Sequence, residues 1–340
     1  LVIKIYNIWN KWDPLKVCML GNNYAPEIFN GLPTAIETPL KRICEETLED
    51  LESFKTILQD FGCKVIQPEV DNSIRFIDKP PLHRAPLVPR DYQLILGDKA
   101  YSWKYDNPAI FECLTNYGKV ITLPPTIGAS APTSANCFMI GKDIYHEPQT
   151  NRHMKPAYDA MFKHHRRNIV SIDHSHSDGC MHPIKPGAIL SIENETHYAS
   201  SYPGWDVCYL ENESWDKVSD WMRLKRKNQG KWWVAGETDN DEFIYFVNHW
   251  LSDWVGYVEE SVFDVNVLVL DEHHVCVANP HNKIVNAFLK KHGMEPVYVP
   301  WRHRWFWDGG LHCITLDLYR EGTQQDYFPD RADHDLDHRF

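Results

Sequence analysis

The 340-residue chain lacks the marks of several protein classes. It has no basic excess: 35 Lys and Arg face 47 Asp and Glu, a formal net charge of −12. A polyanion would gain little counterion release on such a surface, and no nucleic-acid partner is expected. No apolar run approaches the roughly 18 residues that read as a membrane span. Residues 1–12 have no basic head followed by an apolar stretch and a small-residue cleavage site. These two absences lead us to expect a soluble, cytoplasmic protein with no membrane partner. There is no CxxC pair: nine cysteines, an odd count, are scattered from Cys18 to Cys313, which fits neither a disulfide framework nor a zinc ribbon. Most should be reduced core residues, and one is free to be a nucleophile. With 43% hydrophobic residues the chain is neither disordered nor fibrous.

What is present is a repeated unit. A helix is expected over 39–61, where Leu51, Phe54, Leu58 and Phe61 share one face and Glu45, Glu46, Glu49 and Asp50 fall elsewhere. Gly62 ends it, and a short strand over 63–67 follows. Towards the other end the order is strand 265–270, turn 271–274, strand 275–278, helix 281–292 closed by Gly293, and strand 297–299. Less complete copies read as a strand pair over 136–145 turning at Gly141-Lys142, a helix over 156–167 and a strand over 169–172. Further short strands are expected at 94–96, 120–123 and 188–192. Strand, turn, strand, helix, strand is an α/β module, repeated within one catalytic domain spanning 1–340. Between 193 and 260 the pattern loosens around Trp205, Trp215, Trp221, Trp232, Trp233, Trp250 and Trp254. This stretch reads as a helical insertion, with helices over 215–227 and 241–254 and tryptophans used for packing. The acidic, His-bearing end, 330–340, reads as a flexible solvated tail.

The sharpest chemical signal is Asp308-Gly309-Gly310-Leu311-His312-Cys313-Ile314-Thr315-Leu316. Two glycines allow close backbone approach and set one cysteine at the head of an apolar strand. Alone, the segment would better suit a buried strand cysteine beside a Gly-Gly turn. It is joined by His176-Ser177-Asp178-Gly179: if extended, period-2 alternation puts His176 and Asp178 on one face, an acid/base beside a carboxylate. Pro89-Arg90-Asp91 stands just before the 94–96 strand, where a loop carboxylate can face a cation. His174, His176, Asp178 and His182 would also suit a metal, but with 18 His in the chain such clusters arise by chance, and neither metal nor cofactor is expected.

These residues carry a resemblance. Asn7-Ile8-Trp9-Asn10-Lys11-Trp12-Asp13-Pro14-Leu15, Pro89-Arg90-Asp91, Gly141-Lys142-Asp143-Ile144, His176-Ser177-Asp178, the 266–272 stretch and Gly309-Gly310-Leu311-His312-Cys313 occur in the order and approximate spacing of the glycine amidinotransferases. The chain resembles that family, within the guanidine-modifying pentein superfamily, over about residues 6–320. The resemblance implies a pseudo-fivefold α/β propeller of ββαβ-type modules around a central active-site channel. It also implies that Cys313 is the nucleophile, that His176 is the general acid and base, and that Asp91 and Asp178 grip a substrate guanidinium. His312 is counted with the substrate-binding residues. The implied partners are a small guanidino donor, such as arginine, and an amine acceptor, with a second copy of the chain, in a homo-oligomer, as a further candidate.

Two departures qualify the match. Where the family carries D-A-A-D or D-A-A-N, this chain has Thr133-Ser134-Ala135-Asn136, so Asn136 fits and Thr133 occupies the acidic position; a hydroxyl cannot stabilise an imidazolium by charge. Either another carboxylate takes over or the reaction is slowed. Positions that clamp the donor's carboxylate in the glycine enzymes fall near Glu195 and Glu259-Glu260, where acids would repel a carboxylate and attract an amine. A substrate with a cationic tail or without the carboxylate, such as agmatine or a diamine, is therefore expected, rather than arginine or glycine held as in the glycine enzymes. Two alternatives to transfer stand: a hydrolase in which water resolves the amidino-cysteine, as in arginine or agmatine deiminases and arginine dihydrolases, and a non-catalytic guanidine-binding relative.

Overall fold

The structure, a computed structural model, describes residues 5–102, 107–123, 132–146, 155–163, 165–169, 176–192, 198–210, 230–231, 233–255 and 264–332. Five three-stranded sheets share one plan, an antiparallel pair followed by a parallel third strand. In the first, β1 (Leu15–Leu20) pairs antiparallel with β15 (Thr315–Arg320) and parallel with β2 (Lys64–Ile66). The second holds β3 (Gln93–Leu96), β4 (Lys99–Ser102) and β5 (Val120–Thr122). The third holds β6 (Cys137–Ile140), β7 (Asp143–His146) and β8 (Arg166–Ile169). The fourth holds β9 (Met181–Lys185), β10 (Ala188–Ser191) and β11 (Asp206–Tyr209). The fifth holds β12 (Leu268–Val269), β13 (His274–Val277) and β14 (Glu295–Tyr298).

A parallel third strand needs a crossover, and in every module a helix supplies it: Thr34–Asp60, Pro108–Tyr117, Lys155–Phe162, Tyr198–Ser201 and Lys283–Lys291 in turn. This is the pseudo-fivefold α/β propeller. Two of the strands that lead an antiparallel pair, Gln93–Leu96 and Cys137–Ile140, are buried throughout, which explains their largely apolar runs. Because the first sheet borrows the last strand of the chain, β15 closes the ring. Cys313, two residues ahead of β15, thereby meets residues of two other modules, Asn266 and Asp178.

Several boundaries differ from the expectation for identifiable reasons. The first helix begins at Thr34 rather than residue 39, with Pro39 inside it. Proline has no N–H to offer the carbonyl of Ala35, but the Asn240 side-chain amide donates to that oxygen at 2.7 Å, so the helix continues upstream. The third crossover helix stops at Phe162 rather than 167 because Arg166 starts β8 beside Asp143, and its buried guanidinium pairs with that carboxylate at 2.7 Å. The strand expected over 169–172 is described from Arg166 to Ile169, and residues 170–172 lie outside the described residues. The fourth module closes inside the span read as an insertion, since β11 extends β10 in parallel. The later helix covers Asp241–Trp250, capped by Asn240, and its apolar side joins the core against the first helix. Trp254 is buried between Tyr24 and Trp307, stacked on each at 5.7 and 5.8 Å, so these tryptophans pack the core. The 215–227 helix, Trp215, Trp221, Trp232 and most of the 330–340 tail lie outside the described residues.

Candidate active site

The loop before β15 is organised by a residue from another module. Asn266, just ahead of β12, accepts through Oδ1 from the backbone N–H groups of His312 and Cys313, each at 3.0 Å. Its Nδ2 donates to Sγ of Cys313 at 3.1 Å and to the carbonyl of Asp178 at 3.0 Å. Gly310 makes this possible: a Cβ there would fall 2.5 Å from Asn266 Oδ1. The second glycine of the Gly-Gly pair is thus required by a side chain from across the ring.

His176 and Asp178 do reach one site, but not by strand alternation. The expected extended segment is a single helical turn, Ser177–Cys180, with His176 extended just before it. The turn forms because the carbonyl of Ala135 accepts from the backbone N–H of Asp178 at 3.1 Å and from the Ser177 hydroxyl at 3.0 Å. Asp178 is consequently buried at 1% exposure, with Oδ2 3.8 Å from the Cys313 sulfur, while His176 stays partly exposed. Asp91 ends a 3₁₀ turn, Pro89–Asp91, ahead of β3, and its Oδ1 lies 3.7 Å from Nδ1 of His176.

Electrostatics ties the four groups together. Burial, then the carboxylates of Asp178 and Asp91, push the Cys313 thiol far above its usual range, against the opposing Gly310 N–H and Asn266 amide. Burial raises Asp178, with His176, Lys11 and Arg90 pulling it down and Asp91 pushing it up. Oδ1 of Asp178 and Oδ1 of Asp91 are buried acceptors with no hydrogen-bond donor among the described residues. A buried carboxylate oxygen without a donor is costly, and two of them suit a planar cation rich in N–H groups.

Thr133 and Asn136 take a different place from the one expected. The Thr133 hydroxyl and N–H both turn to Oδ1 of Asn136, at 3.3 and 2.7 Å, closing a four-residue turn. That turn brackets the site: Ser134 donates to Gln93 and accepts from Ile95 on β3, and Ala135 holds the Ser177-Asp178 turn. Asp91 is one carboxylate that His176 meets, at 3.7 Å. His312 also differs: it is 1% exposed, with Nδ1 2.7 Å from Asp178 Oδ2 and Nε2 3.4 Å from Nζ of Lys11, so it stands behind Asp178. Burial and the cations Arg90 and Lys11 hold its ring neutral. His182 packs edge-on against it at 4.6 Å and is likewise neutral through burial. His174, Glu195, Glu259 and Glu260 lie outside the described residues.

Asn266, Lys11 and Arg90 were part of recognised motifs but had no assigned role. Arg90 donates through Nε to the carbonyl of His312 at 2.7 Å and pairs with buried Asp317, also at 2.7 Å, which in turn pairs with Arg320 at 2.8 Å. A sequence signal existed for two of them: a polar residue heading the apolar run 267–270, and a lysine between Trp9 and Trp12.

No family model matches the chain. Mitochondrial glycine amidinotransferase from Xenopus tropicalis is 23% identical over 94% of this chain and 84% of its own length. Among solved structures, an amidinotransferase of the saxitoxin biosynthetic pathway from Microseira wollei matches with a TM-score of 0.65 at 20% identity, covering 95% of this chain and all of that one. A dimethylarginine dimethylaminohydrolase matches with a TM-score of 0.57 at 12% identity, covering 89% of this chain and 99% of that one. The likeness to the amidinotransferase by sequence, and to both kinds of enzyme by fold, agrees with the five modules of one plan. The chain has the α/β pentein fold of these structures, and over nearly its whole length its sequence is similar to that of amidinotransferases.

Proposed function

We propose that this enzyme moves the amidino group of a guanidino donor to an amine acceptor through a covalent amidino-cysteine on Cys313. The observation that carries the reading is the pair of donor-less oxygens on Asp91 and Asp178, flanking a buried sulfur that Asp178 itself approaches at 3.8 Å. A guanidinium set between the carboxylates would have its N–H groups paired and its carbon held near Sγ. Its charge offsets the two carboxylates that suppress ionisation of the thiol, so the substrate would activate its own nucleophile.

The Cys313 thiol passes its proton to His176, and the thiolate so formed adds to the amidino carbon to give a tetrahedral intermediate. His176 protonates the departing amine, leaving the amidino-cysteine; with arginine as donor, ornithine departs. His176 next takes a proton from the incoming amine, which attacks the same carbon and expels the thiolate. Asp91, 3.7 Å from His176, is an acid able to favour the imidazolium formed in the first half, in place of the residue that Thr133 replaces.

The experiment is incubation with labelled arginine or agmatine, with and without glycine and other amines, following products and protein mass. Transfer requires a mass adduct on Cys313 and a product that appears only with the amine. Ammonia released without an acceptor would favour hydrolysis, a second reading that fits the fold shared with the dimethylaminohydrolase. Turnover by Cys313→Ala equal to the parent would reject both. Arginine far outperforming agmatine would reject a donor lacking the carboxylate.

A further inference from the structure

Lys11 takes no part in the steps above, yet it is buried, at 7% exposure, behind the substrate-facing carboxylate. Its Nζ lies 3.4 Å from Nε2 of His312, whose Nδ1 lies 2.7 Å from Oδ2 of Asp178. The hydrogen-bond count fixes the direction of this chain. An ionised Asp178 only accepts, so Nδ1 of His312 donates; the neutral ring then accepts at Nε2, and the Lys11 ammonium is the donor.

The charged groups facing Lys11 are Arg90, Arg320, Asp317 and Asp178, with the rings of His312 and His182 between and Phe138 5.0 Å from the ammonium. Asp317 is already held by Arg90 and Arg320. Asp178 is therefore the acid left to balance Lys11, reached through a neutral imidazole.

A site in low dielectric tolerates little surplus charge. With a guanidinium on Asp178, a charged Lys11 would be a second cation serving one carboxylate. We propose that Lys11 is a resident stand-in for the substrate cation, protonated in the empty site to balance Asp178 through His312, and giving its proton to solvent when a guanidinium binds. This rests on the guanidino-binding reading above.

Burial, then Arg90, bring the Lys11 amine down to about 7, so the proton can leave near neutral pH. Binding should release close to one proton per ligand somewhat below pH 7 and almost none above pH 8, where Lys11 is already neutral. Affinity should rise with pH up to about 7 by at most about tenfold per unit, then flatten. His176 and Asp91 adjoin the ligand as well, and loss of a His176 proton would act in the same direction. Lys11→Met separates the two, because the His176 share survives in it.

The test is calorimetric titration of Cys313→Ala protein with agmatine and with arginine between pH 6 and 8.5, in buffers of different ionisation enthalpy. At pH 7, Lys11→Met in that background should release about half a proton fewer than its parent, as expected for a group half-titrated there. Lys11→Arg, charged throughout, should bind at least about tenfold more weakly than its parent at pH 8. The inference is overturned if ligand binds but releases no proton, or if release is unchanged in Lys11→Met. If Lys11→Met does not fold, equal affinity of Lys11→Arg and parent at pH 8 overturns it. If neither ligand binds at any pH, the guanidino reading fails and this inference falls with it.

Discussion

The side-chain amide of Asn266 donates to the Cys313 sulfur over 3.1 Å, while its carbonyl oxygen accepts the cysteine's own backbone N–H at 3.0 Å. One residue from the fifth module thus fixes both the position of the sulfur and a donor towards it. Replacing Asn266 by Ala should lower kcat/KM by about 10²–10³, the range seen when a pre-set hydrogen-bond donor is removed from a reacting centre. The loss should appear in kcat, and alkylation of the thiol should move to higher pH because a donor favouring the thiolate is gone. Asn266→Asp should do no better, since a carboxylate in that place repels both the thiolate and Asp178. Circular dichroism would confirm the fold. A variant within about threefold of the parent in kcat/KM would remove Asn266 from the machinery.

Asp178 is expected to act in opposite senses on the free thiol and on turnover. Its carboxylate, 3.8 Å from the sulfur, is the largest contributor after burial to the high pKa of Cys313. Asp178→Asn should therefore lower the thiol pKa, and iodoacetamide should modify Cys313 faster than in the parent at pH 8. Turnover should nonetheless fall by about a hundredfold or more, because the guanidinium loses a charge-assisted partner that also orients it. Slower alkylation in the variant would mean that the carboxylate does not govern the sulfur.

The fold was legible because its unit is local. Gly62 and Gly293, both at positive φ, end helices where the apolar spacing stops, and each strand pair turns over a few residues. The site was legible where a motif carried its own geometry, as at Cys313. It was not legible where a distant group decides the backbone. The 176–180 turn depends on the carbonyl of Ala135, and the start of the first helix depends on Asn240, 205 residues away. The same holds for Thr133: its type identified a missing charge, but only its bonds to Asn136 reveal a bracket between β3 and Asp178.

Asp317 holds the site from below, and its charge should be visible in acid stability. Although burial opposes ionisation, Arg320 and then Arg90 hold its carboxyl well below the usual carboxylate range. A depressed folded-state pKa means that the stabilisation is complete above the unfolded value of about 3.9 and is lost as pH falls through the folded value. Asp317→Ala leaves two buried guanidinium groups without their shared acid and should cost about 3–5 kcal/mol at pH 7. Urea unfolding of parent and variant should show that gap roughly constant above about pH 5 and narrowing between about pH 4 and 2. Arg90 also grips the carbonyl of His312, so loosening it should slow turnover even where the variant stays folded. A gap independent of pH down to 2 would show that shape, and not the charge of Asp317, secures the closing strand.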